Sequence, residues 1–135
     1  MGLQADILNV HPHLDKAIRL ASLPSPVFVD LRDRLVALRC WVETLRNLGA
    51  WREAVLKKRR RVFQELSRRE IASTRTLLRL WETSRTPFMV VRVKGEDSFV
   101  YGRNFGRLLR HKIRLMRKYG RVPFHVDTEI QWRLR

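Results

Sequence analysis

The chain has 135 residues, and its 29 lysines and arginines against 13 aspartates and glutamates leave a formal charge of +16. With 44% hydrophobic residues, four tryptophans and six phenylalanines, it is too apolar for a disordered basic tail, which lacks the surface needed to offset chain entropy. Its single cysteine excludes an internal disulfide and a cysteine-based zinc site, and no apolar run approaches the roughly 20 residues that a membrane span needs.

Residues 1–29 read as an N-terminal extension. A short helical pattern surrounds Leu3, Ile7 and Leu8, His11-Pro12-His13 interrupts it, and a second short helix runs from Leu14 to Ala21 before the break at Pro24-Ser25-Pro26. The first fifteen residues hold Asp6 and Asp15 but no lysine or arginine, unlike a presequence or a secretory signal. Asp6 also stands where a myristoylation pattern at Gly2 wants Ser or Thr.

Residues 30–86 read as an αα-hairpin. Leu31, Leu35, Leu38, Val42 and Leu45 recur at four- and three-residue steps, predicting a helix from Asp30 to Leu48, capped by Asp30 and stopped by Gly49. A second helical pattern runs without glycine or proline from Ala50 to about Thr83, which at 1.5 Å per residue predicts an overlong helix of about 50 Å. Trp51, Val55, Val62, Phe63, Leu66, Thr74, Leu77, Leu78 and Trp81 mark its apolar stripe, which is interrupted at Lys58 and Arg69.

Residues 87–135 read as a β-hairpin followed by a basic helix and a C-terminal tail. Phe88 to Lys94 and Ser98 to Tyr101 flank a Gly95-Glu96-Asp97 turn. Asn104 is placed to cap a helix from Phe105 to Tyr119 with an apolar face of Leu108, Leu109, Leu115, Met116 and Tyr119, closed by Gly120. A short extended piece, Val122 to Val126, leads to a terminal segment containing Trp132. The fold class expected is therefore mainly α with a small β-hairpin, an α+β arrangement.

The charge is concentrated. Residues 1–56 carry seven basic and six acidic side chains, whereas residues 57–135 carry 22 and seven. Two clusters stand out as a candidate RNA-binding surface. Lys57, Lys58, Arg59, Arg60 and Arg61 are five adjacent cations inside the predicted second helix, sweeping more than one turn, and phosphates would neutralise them while releasing counterions. Arg103, Arg107, Arg110, Lys112, Arg114, Arg117, Lys118 and Arg121 fall in a stretch with no acid between Ser98 and Val126. Arginine dominates there, which favours bidentate phosphate grips and base stacking. An anionic membrane surface or an acidic protein would attract the same helix.

The aromatics of the hairpin, Phe88, Phe99 and Tyr101, suit a small core better than base stacking, since no ribonucleoprotein consensus accompanies them. Gly102-Arg103-Asn104-Phe105-Gly106 lacks the Lys-Ser/Thr ending of a nucleotide loop. No catalytic residues, metal site or cofactor are expected. His11 and His13 lack a third ligand, His111 and His125 stand alone, Glu65 and Glu70 read as ion-pair partners, and Cys40 reads as a small buried hydrophobe.

The stretch Thr44-Leu45-Arg46-Asn47-Leu48-Gly49-Ala50-Trp51-Arg52-Glu53, followed by Lys57-Lys58-Arg59-Arg60, resembles a helix-turn-basic-helix segment of a small mitochondrial ribosomal small-subunit family. The likeness covers about 25 residues, and the lysine- and glycine-rich tail of that family is replaced here by the hairpin and arginine helix. It implies a structural, non-enzymatic component of the mitochondrial ribosome. Its partners would be rRNA and, through residues 1–56, neighbouring ribosomal proteins, without a membrane span or obligate homo-oligomer. An accessory subunit of a mitochondrial respiratory complex and a DNA-binding protein are the alternatives; the expected location is mitochondrial, and with no presequence visible a cytosolic or nuclear one stays open.

Overall fold

The structure, a computed structural model, describes residues 3–84, 90–93, 96–99 and 104–122. Among the described residues four helices make the packed body: α1 (Leu3–Leu20), α2 (Pro26–Leu56), α3 (Arg60–Thr83) and α4 (Phe105–Tyr119). Each packs on the next in the chain, α1 on α2, α2 on α3 and α3 on α4.

The α+β class expected from the sequence is corrected to an all-α four-helix body. The segments Val90–Val93 and Glu96–Phe99 pair antiparallel only with each other, Val90 opposite Phe99. Among the described residues neither segment packs on a helix, so no sheet layer contributes to the fold. Phe88, Lys94, Gly95, Tyr101, Gly102, Arg103 and the tail 123–135 lie outside the described residues.

The N-terminal stretch is one helix of 18 residues that continues through Pro12, not two short ones. Proline removes one helical hydrogen bond, and contacts on both sides of it hold α1 against α2. His11 Nε2 lies 3.0 Å from a Glu43 carboxylate oxygen, and Arg39 Nη1 donates to Asp15 Oδ1 at 3.0 Å.

Helix α2 starts four residues before Asp30, with Pro26 in its first turn, where a missing N–H leaves no bond unmade. Asp30 does not cap it; its carboxylate accepts from Arg34 Nε at 2.8 Å. Gly49 does not stop it either. A helical glycine costs about 1 kcal/mol relative to alanine, whereas running on through Gly49 buries Trp51 and Ala54 to 4% and 3% exposure. Burying one large apolar side chain contributes about 2–3 kcal/mol, so packing overrides the local signal.

The overlong helix is also corrected. The chain reverses at Lys57–Arg59, with Lys58 in the left-handed region at φ 52°. The Arg59 N–H donates to the Ala54 carbonyl at 2.9 Å and the Lys58 N–H to the Val55 carbonyl at 3.1 Å. The reversal is what lets Trp51 meet Phe63, their ring centroids 4.7 Å apart, in a cluster with Ala54 and Leu66. A straight helix would set Trp51 and Phe63 about 18 Å apart along its axis. The αα-hairpin therefore exists, but its turn is the basic run itself, and α3 has 24 residues.

A second cluster joins Ala37 and Cys40 of α2, Leu77 of α3, and Phe105 and Leu109 of α4. Helix α4 lies antiparallel to α3 and parallel to α2, since its start meets Trp81 and its end meets Ser67. Two glycines allow this approach. A Cβ on Gly106 would sit 2.9 Å from the Trp81 indole, and one on Gly120 would sit 2.0 Å from Ser67 Oγ.

Candidate nucleic-acid interface

The buried face of α4 is Phe105, Gly106, Leu109 and Ile113. This corrects the apolar face read from the sequence: Leu108, Leu115 and Tyr119 are 53%, 43% and 46% exposed. With about 100° of rotation per residue, one exposed flank of α4 carries Arg110, Arg114, Arg117 and Arg121, and the other carries Leu108, Leu115 and Tyr119. Arg107, His111 and Lys118 form the crest between them.

The arginine flank adjoins α3. Arg110 Nη2 donates to Glu82 Oε1 at 2.5 Å, which brings that side of α4 next to the outer face of α3. On α3, Arg61, Arg68, Arg75 and Arg79 are all exposed and fall within about 40° of arc, because three of them are seven residues apart. The two ridges adjoin through the Arg110–Glu82 pair, and together they make a cationic wall over α3 and α4. Arg68 shares Glu65 with Arg69, at 3.6 Å and 2.9 Å. Arg61, Arg75, Arg79, Arg114, Arg117 and Arg121 have no carboxylate partner among the described residues.

The first cationic cluster lies at one end of the bundle. Lys57 pairs with Glu53 one turn earlier, and its hydrogen bond and charge hold the Glu53 carboxyl below the usual carboxylate range. Lys58, Arg59 and Arg61 are exposed, and Arg60 is the first residue of α3. Ser67, against which Gly120 packs, is six residues or about 9 Å along α3 from Arg61, so the turn lies near Arg117 and Arg121.

Lys112 differs from its neighbours. It turns inward and pairs with Glu70, which is buried to 6% exposure and also accepts from Asn47 Nδ2 at 2.7 Å and Thr44 Oγ1 at 2.8 Å. That lysine neutralises a core carboxylate and offers no free charge to a phosphate. Lys118 lies over the Tyr119 ring, 5.0 Å from its centroid. Arg103 falls outside the described residues.

Sequence reasoning missed Arg68, Arg75 and Arg79. The seven-residue spacing of Arg61, Arg68 and Arg75 was the available signal, obscured by the expectation of one overlong helix whose apolar stripe is interrupted at Lys58 and Arg69.

Elsewhere the chemistry is sparse. His11 faces Glu43 while His13 is exposed, so the two do not converge. Cys40 is buried, and burial pushes its thiol pKa up. Among the described residues no group of three or more His, Cys, Asp or Glu is placed to hold a metal ion, and no helix is long and apolar enough to cross a membrane. Comparison with protein-family models, curated proteins and solved structures gave no match.

Proposed function

We propose that this chain is a structural ribonucleoprotein component that binds ribosomal RNA through α3 and α4, as a protein of the mitochondrial ribosome. The observation that carries the reading is the alignment of six exposed arginines that have no carboxylate partner among the described residues. A charged surface kept for solubility needs no such alignment, and surface arginines are commonly balanced by acids one turn away, as Arg69 is by Glu65.

Arginine suits the role because its planar fork grips phosphate bidentately and stacks on bases. A wall of this kind recognises backbone and shape, so affinity varies little with sequence and falls steeply with salt. The basic turn at Lys58 and Arg59 extends the surface past the end of the bundle.

The experiment is binding of the full chain to a structured RNA hairpin, a DNA duplex of the same length and anionic vesicles, each across a salt series. Preference for structured RNA and salt-sensitive sedimentation with mitochondrial ribosomal particles are expected. Binding to vesicles alone would replace the reading with a respiratory-complex subunit, and preference for duplex DNA would replace it with a chromatin role.

A further inference from the structure

On the side of α4 away from the arginine wall, its apolar flank faces α2 across a groove. Leu108, Leu115, Tyr119 and Val122 line one bank, the last 55% exposed. On α2, Leu48 lines the cavity between the helices and shares one exposed face with Leu38, Trp41 and Leu45, the tryptophan 51% exposed. Between the two helices, Leu48, Trp51, Leu66 and Met116 line a cavity of about 270 Å³ together with Thr44, Asn47, Glu70 and Lys112. Those four polar groups satisfy one another at the Glu70 carboxylate. What the cavity presents to an occupant is therefore apolar.

We propose that this groove docks an amphipathic helix of another protein, one whose apolar stripe is flanked by carboxylates. Three features select that occupant. The α2 bank repeats at three- and four-residue steps (Leu38, Trp41, Leu45, Leu48), and the α4 bank repeats at seven, four and three, the spacing at which helices interlock side chains. The two banks are parallel helices, so a third helix can lie along both, with one large apolar side chain entering the cavity as an anchor.

The charge around the groove selects the flanks. Arg52 on α2, and Arg107 and Lys118 on the α4 crest, are exposed and have no carboxylate partner among the described residues. A second copy of this chain would bring the same cations against themselves, which opposes a symmetric pairing. Carboxylates on the incoming helix would match them.

The test uses the full chain and a labelled peptide of about 20 residues, long enough to form a helix on the groove, with leucines at alternating three- and four-residue steps and glutamates on both flanks. Two control peptides replace the leucines by serine or the glutamates by lysine. The expected result is that each control binds at least about tenfold more weakly, as loss of a few buried leucines or matched charges requires. Leu45→Asp with Leu115→Asp, at exposed positions that leave the core untouched, abolishes peptide binding, while Arg61→Gln with Arg75→Gln does not.

Equal binding of the serine peptide would overturn the proposal in favour of simple charge attraction. Unchanged affinity in the double aspartate variant would overturn it as well. So would a dimer in sedimentation, or vesicle binding, that the same variant eliminates, because the groove would then belong to a second copy or to lipid.

Discussion

The arginine wall makes a quantitative prediction about salt. If the six arginines that have no carboxylate partner among the described residues each neutralise one phosphate, the logarithm of the RNA affinity falls against the logarithm of salt with a slope of about −4 to −5. Raising the salt fourfold, from about 50 to about 200 mM, then weakens binding by roughly three orders of magnitude. Arg75→Gln with Arg114→Gln takes one cation from each helix and reduces the slope by about 1.4–1.8, with little effect on folding because both side chains are exposed and neither has an ion-pair partner among the described residues. Fluorescence anisotropy of a labelled RNA hairpin over a series of salt concentrations measures both slopes. A wild-type slope shallower than about −1, or a variant slope equal to the wild type, would refute the assignment of this wall to phosphate.

Lys112→Met should leave the salt slope unchanged but destabilise the chain by about 2 kcal/mol in urea unfolding, since it strands the buried Glu70 carboxylate in a site only partly open to water. Gly120→Ala should cost about 2 kcal/mol, because the added methyl meets Ser67 Oγ and the Met116 carbonyl and the tight helix crossing has to open. Lys58→Gly, relieving a left-handed side-chain residue in an exposed turn, should raise stability by roughly 0.5–1 kcal/mol in the same assay. Burial raises the Cys40 thiol pKa in the folded chain, so the unfolded chain ionises first and stability should fall as pH rises above about 8.5; Cys40→Ala should lack that alkaline decline in thermal melts.

Much of the helical body is legible in the sequence, and what is not has identifiable physical causes. Helix α4 occupies the stretch its periodicity indicates, yet two apolar seams run along it, one through Phe105, Leu109 and Ile113 and one through Leu108, Leu115 and Tyr119. Spacing alone does not rank them. The edge-on contact of Phe105 with Trp81, at 5.6 Å, and the missing side chain at Gly106 select the first. Gly49 is a correct local signal outweighed by the burial of Trp51, which depends on Phe63 twelve residues later. The reversal at Lys58 carries no glycine, proline or asparagine to announce it. In the candidate site, most of the cations named from the sequence are exposed, but Lys112 cannot be told from its neighbours without knowing that Glu70, 42 residues away, faces it.

That one inward lysine accounts for the division of α4 into two surfaces. The helix carries six cations in 15 residues, and a segment so charged buries a face only if any cation at the edge of that face is neutralised. Glu70 does this for Lys112, and the pairing fixes the rotation of α4 about its own axis. With Lys112 turned toward the Glu70 site between α2 and α3, the three-residue step to Leu115 carries an apolar residue to the α2 side, and the two-residue step to Arg114 carries a cation to the α3 side. A rotation of one residue would put arginine into the groove and leucine into the cationic wall. The buried pair thus supplies little net stability, but it specifies which flank of the helix is cationic and which flank is left apolar.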